Sequence, residues 1–250
     1  MENNSNPTPQ THSFPTEEIE LPSKGLLYPL DNPLSSGKIT MRYMTAEHED
    51  ILTNKSYIEK GVVLDKLMQS LIVSKVNYDD IIIGDKNAIM VAARVLGYGK
   101  DYEFMYDGEK QVVDLSKIEN KPFDESLVTK GINEFNFTLP SNGTKITFKI
   151  LNGHDEKKID QELKGLSKIN SNNSPTLSTR LKYIITSVEE DKDPKTIRQL
   201  VTNLLVRDSK ALRDYIKKIQ PDVDLTFFPL GQDTSVSIPV GIGFFWPDSE

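Results

Sequence analysis

Residues 135–150 read FNFTLPSNGTKITFKI. Phe135, Phe137 and Leu139 alternate with polar residues before the turn, and Ile146, Phe148 and Ile150 alternate after it. A period of two marks strands with one buried face. Between them, Ser141, Asn142 and Gly143 tolerate the positive φ of a tight turn. The segment is expected to form a β-hairpin. Its sequence has a counterpart earlier in the chain. Leu21-Pro-Ser-Lys-Gly25 parallels Leu139-Pro-Ser-Asn-Gly143, and KITMRYMTAEHE from Lys38 parallels KITFKILNGHDE from Lys145. The ungapped pairs include Met41 with Phe148, Arg42 with Lys149, Met44 with Leu151 and Glu49 with Glu156.

A second pair of stretches keeps the same order. Asp85, Ala88 and Ile89 match Asp208, Ala211 and Leu212. YEFMYDGEKQVVDL from Tyr102 matches LTFFPLGQDTSVSI from Leu225, placing Phe104 on Phe227, Gly108 on Gly231, Val113 on Val236 and Leu115 on Ile238. Two ordered blocks favour an internal duplication. The expected fold class is α+β, built as two tandem related units, each of β-hairpins plus a small helical bundle. The units span residues 17–130 and 131–250. In the first unit, the connection from Pro22 to Gly37 carries Leu26, Leu27, Leu30 and Leu34, an apolar content that suits an ordered excursion.

Helices follow each hairpin. Thr45 can cap a helix over 46–54, with Glu47 and Asp50 suited to its positive end. Val63, Leu67 and Leu71 share a face at helical spacing. Asp85 is read as the cap of a helix running towards Gly97, and Asp208 as the cap of one that Pro221 stops. Pro194 suits the first turn of a further helix. Two other stripes are Ile159, Leu163, Leu166 and Leu181, Ile184, Ile185, Val188, separated by a polar linker over 170–175.

Residues 1–16, MENNSNPTPQTHSFPT, hold little that can be buried, so they are read as a disordered arm. The 250-residue chain carries a net charge of −7, against the basic balance that phosphate contacts need, and no nucleic-acid partner is expected. There is no cysteine, which removes disulfides and thiolate metal sites. No apolar run reaches the ~20 residues of a membrane span, and no secretory signal stands at the start.

Candidate chemistry is sparse. His48 and His154 sit among carboxylates near two helix starts, but no converging ligand set surrounds them, so they are read as solvated helix ends. No serine has an evident histidine partner, and no nucleophile elbow or phosphate-binding loop occurs. Adjacent carboxylates such as Asp79-Asp80 and Glu189-Glu190 would diverge on a helix. No catalytic, cofactor-binding or metal-binding residue is assigned, and the chain is not expected to be an enzyme. Partner-binding features are stronger. Phe244, Phe245 and Trp246, the only tryptophan, crowd the C-terminal stretch among Gly and Pro. Such aromatics either close a core or anchor a partner. Leu26, Leu27 and Tyr28 pose the same choice.

Read together, ELPSKGLLYP, KITMRYMTAEHEDIL, GDKNAIMVAARVLGYGKDYEF, PDVDL and the terminal FFWPD resemble the baseplate hub proteins of T4-like phages. The likeness runs from about Glu20 to the end, and ELPSKG and FFWPD are its most specific parts. It implies a role in building the central hub of a contractile-tail baseplate. The chain would be a hub component or hub assembly factor, or a tail assembly chaperone absent from the mature virion. Its partners would be other hub or tail proteins. Its location would be the tail baseplate, or the host cytoplasm during assembly. The family also implies cysteine pairs near the strands at Phe104–Gly108 and Phe227–Gly231. This chain has none there, so no zinc site carries over.

Overall fold

The computed structural model describes residues 15–169, 175–229 and 231–245. It is a mixed α+β protein with small antiparallel sheets and eight α-helices among the described residues. Most of the expected N-terminal arm and of the 170–175 linker lies outside these residues, as does Trp246.

The chain opens with β1 (Thr16–Glu20) antiparallel to β2 (Lys38–Arg42), with Ile19 opposite Ile39. The strand therefore begins inside the stretch read as an arm, because Thr16 pairs with Arg42. The connection between the strands is ordered. Leu21, Leu27, Tyr28 and Leu34 are buried in it. Gly25 is obligatory there: its φ is +76°, and a Cβ would lie 2.5 Å from the Ser35 carbonyl oxygen.

Helices α1 (Ala46–Leu52), α2 (Lys55–Glu59) and α3 (Val63–Leu71) follow. The expected cap at Thr45 forms a reciprocal box with His48, whose Nδ1 lies 3.0 Å from the Thr45 backbone N. After α3 the chain returns to β2, where Ile72 bridges Met41 and the Val73 N–H donates to the Thr40 carbonyl. Helix α4 (Ile83–Tyr98) and the hairpin β3 (Asp101–Tyr106)–β4 (Glu109–Asp114) end this half.

The second half opens with β5 (Phe135–Thr138), β6 (Lys145–Phe148) and β7 (Ile185–Val188) in one antiparallel sheet. Phe137 faces Ile146 across the hairpin, and Gly143 has the expected positive φ. Between β6 and β7 lie α5 (Gly153–Ile169) and α6 (Thr176–Ile184). Then come α7 (Pro194–Asn203), with Pro194 in its first turn, α8 (Val206–Ile219), and the short hairpin β8 (Thr226–Phe227)–β9 (Val236–Ser237).

Several local arrangements occur twice. Leu21 N–H donates to Gly37 O and Leu139 N–H to Thr144 O. The box of Thr45 and His48 has a counterpart in Asn152 and Asp155, where each backbone N–H meets the other residue's side chain. Met41 meets Ile72 as Phe148 meets Ile185. The final hairpins differ from the sequence alignment by two residues. Phe104 faces Gln111 and Phe227 faces Val236, so Val236 stands where Gln111 does, not where Val113 does. The second connection is two residues longer. A slip of two keeps the same face inward, so alternation alone cannot detect it.

The halves share one hydrophobic core, which includes Leu67, Ile89, Phe148, Leu212 and Phe245. Backbone contacts cross between them. Ile83 N–H donates to Leu151 O, Gly153 N–H to Ile81 O and Lys121 N–H to Asp222 O. Gly84 allows the closest approach: a Cβ there would lie 1.8 Å from the Pro221 carbonyl oxygen.

Candidate functional site: buried polar clasps and exposed apolar surfaces

The most connected polar group in the interior is Asp85. It does not cap its own helix, as the sequence suggested. Helix α4 starts at Ile83, three residues earlier than a cap at Asp85 would set it, which leaves Asp85 in the first turn. Its carboxylate reaches across to the 21–25 turn instead. Oδ1 accepts the Ser23 backbone N–H at 2.9 Å, and Oδ2 accepts the Ser23 and Tyr28 hydroxyls at 2.6 Å each. The Tyr28 oxygen in turn accepts the Ile82 N–H at 3.1 Å. Position in the first helical turn favours a negative charge, and the three donors replace lost water. Burial still dominates, raising the carboxyl pKa above the usual aspartate range while the hydrogen bonds from Ser23 and Tyr28 pull it down. Burial, with Asp85 alongside, also raises the Tyr28 phenol.

The same clasp recurs in the second half. Asp208 lies in the first turn of α8 and accepts the Ser141 backbone N–H at 3.0 Å and its hydroxyl. Ser23 and Asp85 are wholly enclosed, so solvent and substrate do not reach them. A serine, a tyrosine and a carboxylate in mutual contact could serve acid–base chemistry in a cleft. Here they tie a turn to a helix.

The histidines have separate surroundings. His48 is buried in its capping box, not solvated as its helix-start position suggested. His154 Nε2 lies 2.9 Å from Asp80 Oδ1 at the surface. Among the described residues, no three His, Asp or Glu side chains converge on a point where a metal ion would sit.

Two cations occupy unusual sites. Arg94 on α4 is only 2% exposed. Its guanidinium sits over the Tyr98 and Tyr102 rings, at 4.9 and 5.7 Å from their centroids. One Nη donates to Gly99 O at 3.3 Å, and Nε has no partner. Burial lowers its pKa, with the two tyrosines opposing. Lys86 stands 3.8 Å above the Tyr78 ring, and burial lowers its pKa against the pull of Asp65 and Asp79. A Cβ on Gly153 would come within 2.6 Å of the Lys86 ammonium, so that glycine makes room for it.

The sequence-derived contact residues divide by burial. Phe244 and Phe245 are interior, with Phe244 edge-on to Tyr102 at 4.7 Å between centroids. Leu27 and Tyr28 are also interior, and Leu26 is half-buried. Four of the six named contact residues therefore close the core. Aromatic rings at a chain end were equally compatible with that role; Tyr102 packs against Phe244, and Phe244 in turn against Phe245. Leu30, beside them, is exposed.

The exposed apolar surface lies elsewhere. On β3–β4, Tyr102, Phe104 and Tyr106 turn inward, leaving Met105 and Val112 on the outer face. Val112 and Phe228 line one open cavity of about 680 Å³. Phe228 is 68% and Met105 66% exposed. Sequence reading missed these residues because Met105 and Val112 sit in ordinary strand alternation. Only the strand register reveals which face lacks a cover. No family model, curated protein or solved structure matches the chain. No described helix is long and apolar enough to cross a membrane.

Proposed function

We propose that the chain is an assembly protein of a contractile phage tail, acting in the baseplate hub through protein–protein contacts and not through catalysis. The resemblance of ELPSKG, GDKNAIMVAARVLGYGKDYEF and FFWPD to hub proteins of T4-like phages motivates the reading. The observation that carries it furthest is how the polar and apolar groups are distributed. Asp85, Asp208, Asp155 and His48 are buried in clasps and caps, whereas Met105, Val112 and Phe228 remain in the open. Val112 and Phe228 lie together at one open cavity, and Met105 shares the outer face of its hairpin with Val112; apolar groups left in the open suit a protein contact. We also take the two halves as copies of one unit. The paired clasps and capping boxes support that, since each uses matching residues of the repeat.

A permanent hub component would be present in intact tails. A transient tail assembly chaperone, the alternative, would be present only in immature baseplates. Mass spectrometry of purified virions beside immature baseplates separates the two. Absence from both overturns the assembly reading. The Met105, Val112 and Phe228 contact is tested by replacing all three with serine. We expect binding to a hub partner to fall by at least about tenfold while the melting temperature holds within a few degrees.

A further inference from the structure

A second surface combines apolar and cationic groups. Between α6 and α8 lies a cavity of about 300 Å³, at the small end for ligand sites and suited to an anchor side chain or two. Leu151, Leu181, Ile184 and Ile216 form its apolar lining, and Leu177 stands exposed beside them. Lys149, Arg180, Arg213 and Lys217 also line it, with no acidic residue among the lining. This is an unusual neighbourhood in a chain of net charge −7.

The four cations are not equivalent. Lys149 is held by Asp155 at 2.7 Å, and Arg180 is paired in bidentate fashion with Glu156. Arg213 only returns its Nε–H to the Ser209 carbonyl of its own helix, at 3.2 Å. Lys217 has no ion pair or side-chain hydrogen bond among the described residues. Arg213 and Lys217 are four residues apart, so they stand one above the other on α8. The helix dipole accounts for a cation in the last turn, where Lys217 lies. It does not account for Arg213 in mid-helix, nor for Leu177 left exposed at the same groove.

We propose that this groove docks an acidic amphipathic segment of a partner protein. Apolar side chains of the segment would sit on Leu177, Leu181 and Ile184, and its flanking carboxylates would meet Arg213 and Lys217. The apolar lining has no use for a phosphate backbone, and two free cations are few for nucleic acid. The proposal rests on reading the chain as a protein-contact module and names the chemistry of one contact.

The probe is a fluorescein-labelled helical peptide with Leu at i, i+3 and i+7 and Glu at the flanking positions. It is titrated with the full chain and followed by fluorescence anisotropy. We expect saturable binding that weakens as salt rises. R213E/K217E should weaken it by at least about tenfold, and L177S should weaken it as well. Both variants change exposed side chains, so their circular dichroism and melting should match the parent. The proposal is overturned if the peptide fails to saturate by about 1 mM. It is equally overturned if R213E/K217E binds unchanged, or if a Lys-for-Glu peptide or an oligothymidylate binds as well. Virion proteomics reads the hub assignment separately. A chain absent from both virions and immature baseplates that still binds the peptide refutes the hub reading and leaves the groove standing. The reverse result refutes the groove alone.

Discussion

The Ser23–Asp85 clasp makes a quantitative prediction. Ser23→Ala removes a 2.6 Å hydroxyl–carboxylate bond in a fully enclosed site. Hydrogen bonds to charged groups contribute about 1.5–3 kcal/mol, so the variant should lose stability in that range. Ser141→Ala removes the matching bond to Asp208, but Ser141 is only half-buried, so its loss should fall at the lower end. Asp85→Ala leaves the Ser23 N–H, the Ser23 hydroxyl and the Tyr28 hydroxyl facing an empty site. At about 1–3 kcal/mol for each buried unsatisfied group, less some relaxation, the loss should be about 4 kcal/mol. That is a large share of the ~5–15 kcal/mol typical of a folded domain.

Urea denaturation followed by circular dichroism measures each variant. The S23A/D85A double mutant should show a coupling of about 1–2 kcal/mol. The pH dependence has a definite sign. Burial raises the Asp85 pKa in the folded state, so the folded chain holds the proton more tightly than the unfolded one. The wild type therefore loses stability relative to D85N as pH rises from the unfolded carboxyl range, near 3.9, through the folded pKa. The cost of D85N should shrink over that window. A cost that grows with pH, or an S23A loss below about 0.5 kcal/mol, would refute the account of the clasp.

Three further variants test the packing. Gly84→Ala drives a Cβ against the Pro221 backbone at 1.8 Å and should cost about 3 kcal/mol, read by urea midpoint; a neutral result would mean the halves can part there without loss. Phe244→Ala should cost about 3–5 kcal/mol in the monomer, because the ring is buried against Tyr102, and a stable variant defective only in partner binding would restore the exposed-anchor reading. Arg94→Met replaces a buried cation that has no carboxylate partner among the described residues, and should be neutral or stabilising by about 1–2 kcal/mol. A clear drop in thermal melting would show that the Tyr98 and Tyr102 rings compensate the charge.

The sequence alone determined what depends on neighbours along the chain. Alternation around Ser141–Gly143 specified the β5–β6 hairpin, Thr45 its helix start, and Pro194 the first turn of α7. The repeat of Leu-Pro-Ser was also legible, because both copies keep the residues that make a turn. Tertiary structure decided where side chains went once turns and helices met. Asp85 and Asp208 read as caps, since a carboxylate near a helix start satisfies its own helix in most local contexts. Each instead accepts from a serine, 62 and 67 residues away respectively, a pairing no local pattern encodes. Phe244 and Phe245 could have served a core or a partner equally well. Tertiary packing decided for the core: Phe244 lies edge-on to Tyr102 and to Phe245, and both phenylalanines are buried. Exposure of Met105, Val112 and Phe228 depended in turn on which hairpin face the core had claimed. Burial is a property of the whole packed molecule, and no single segment carries it.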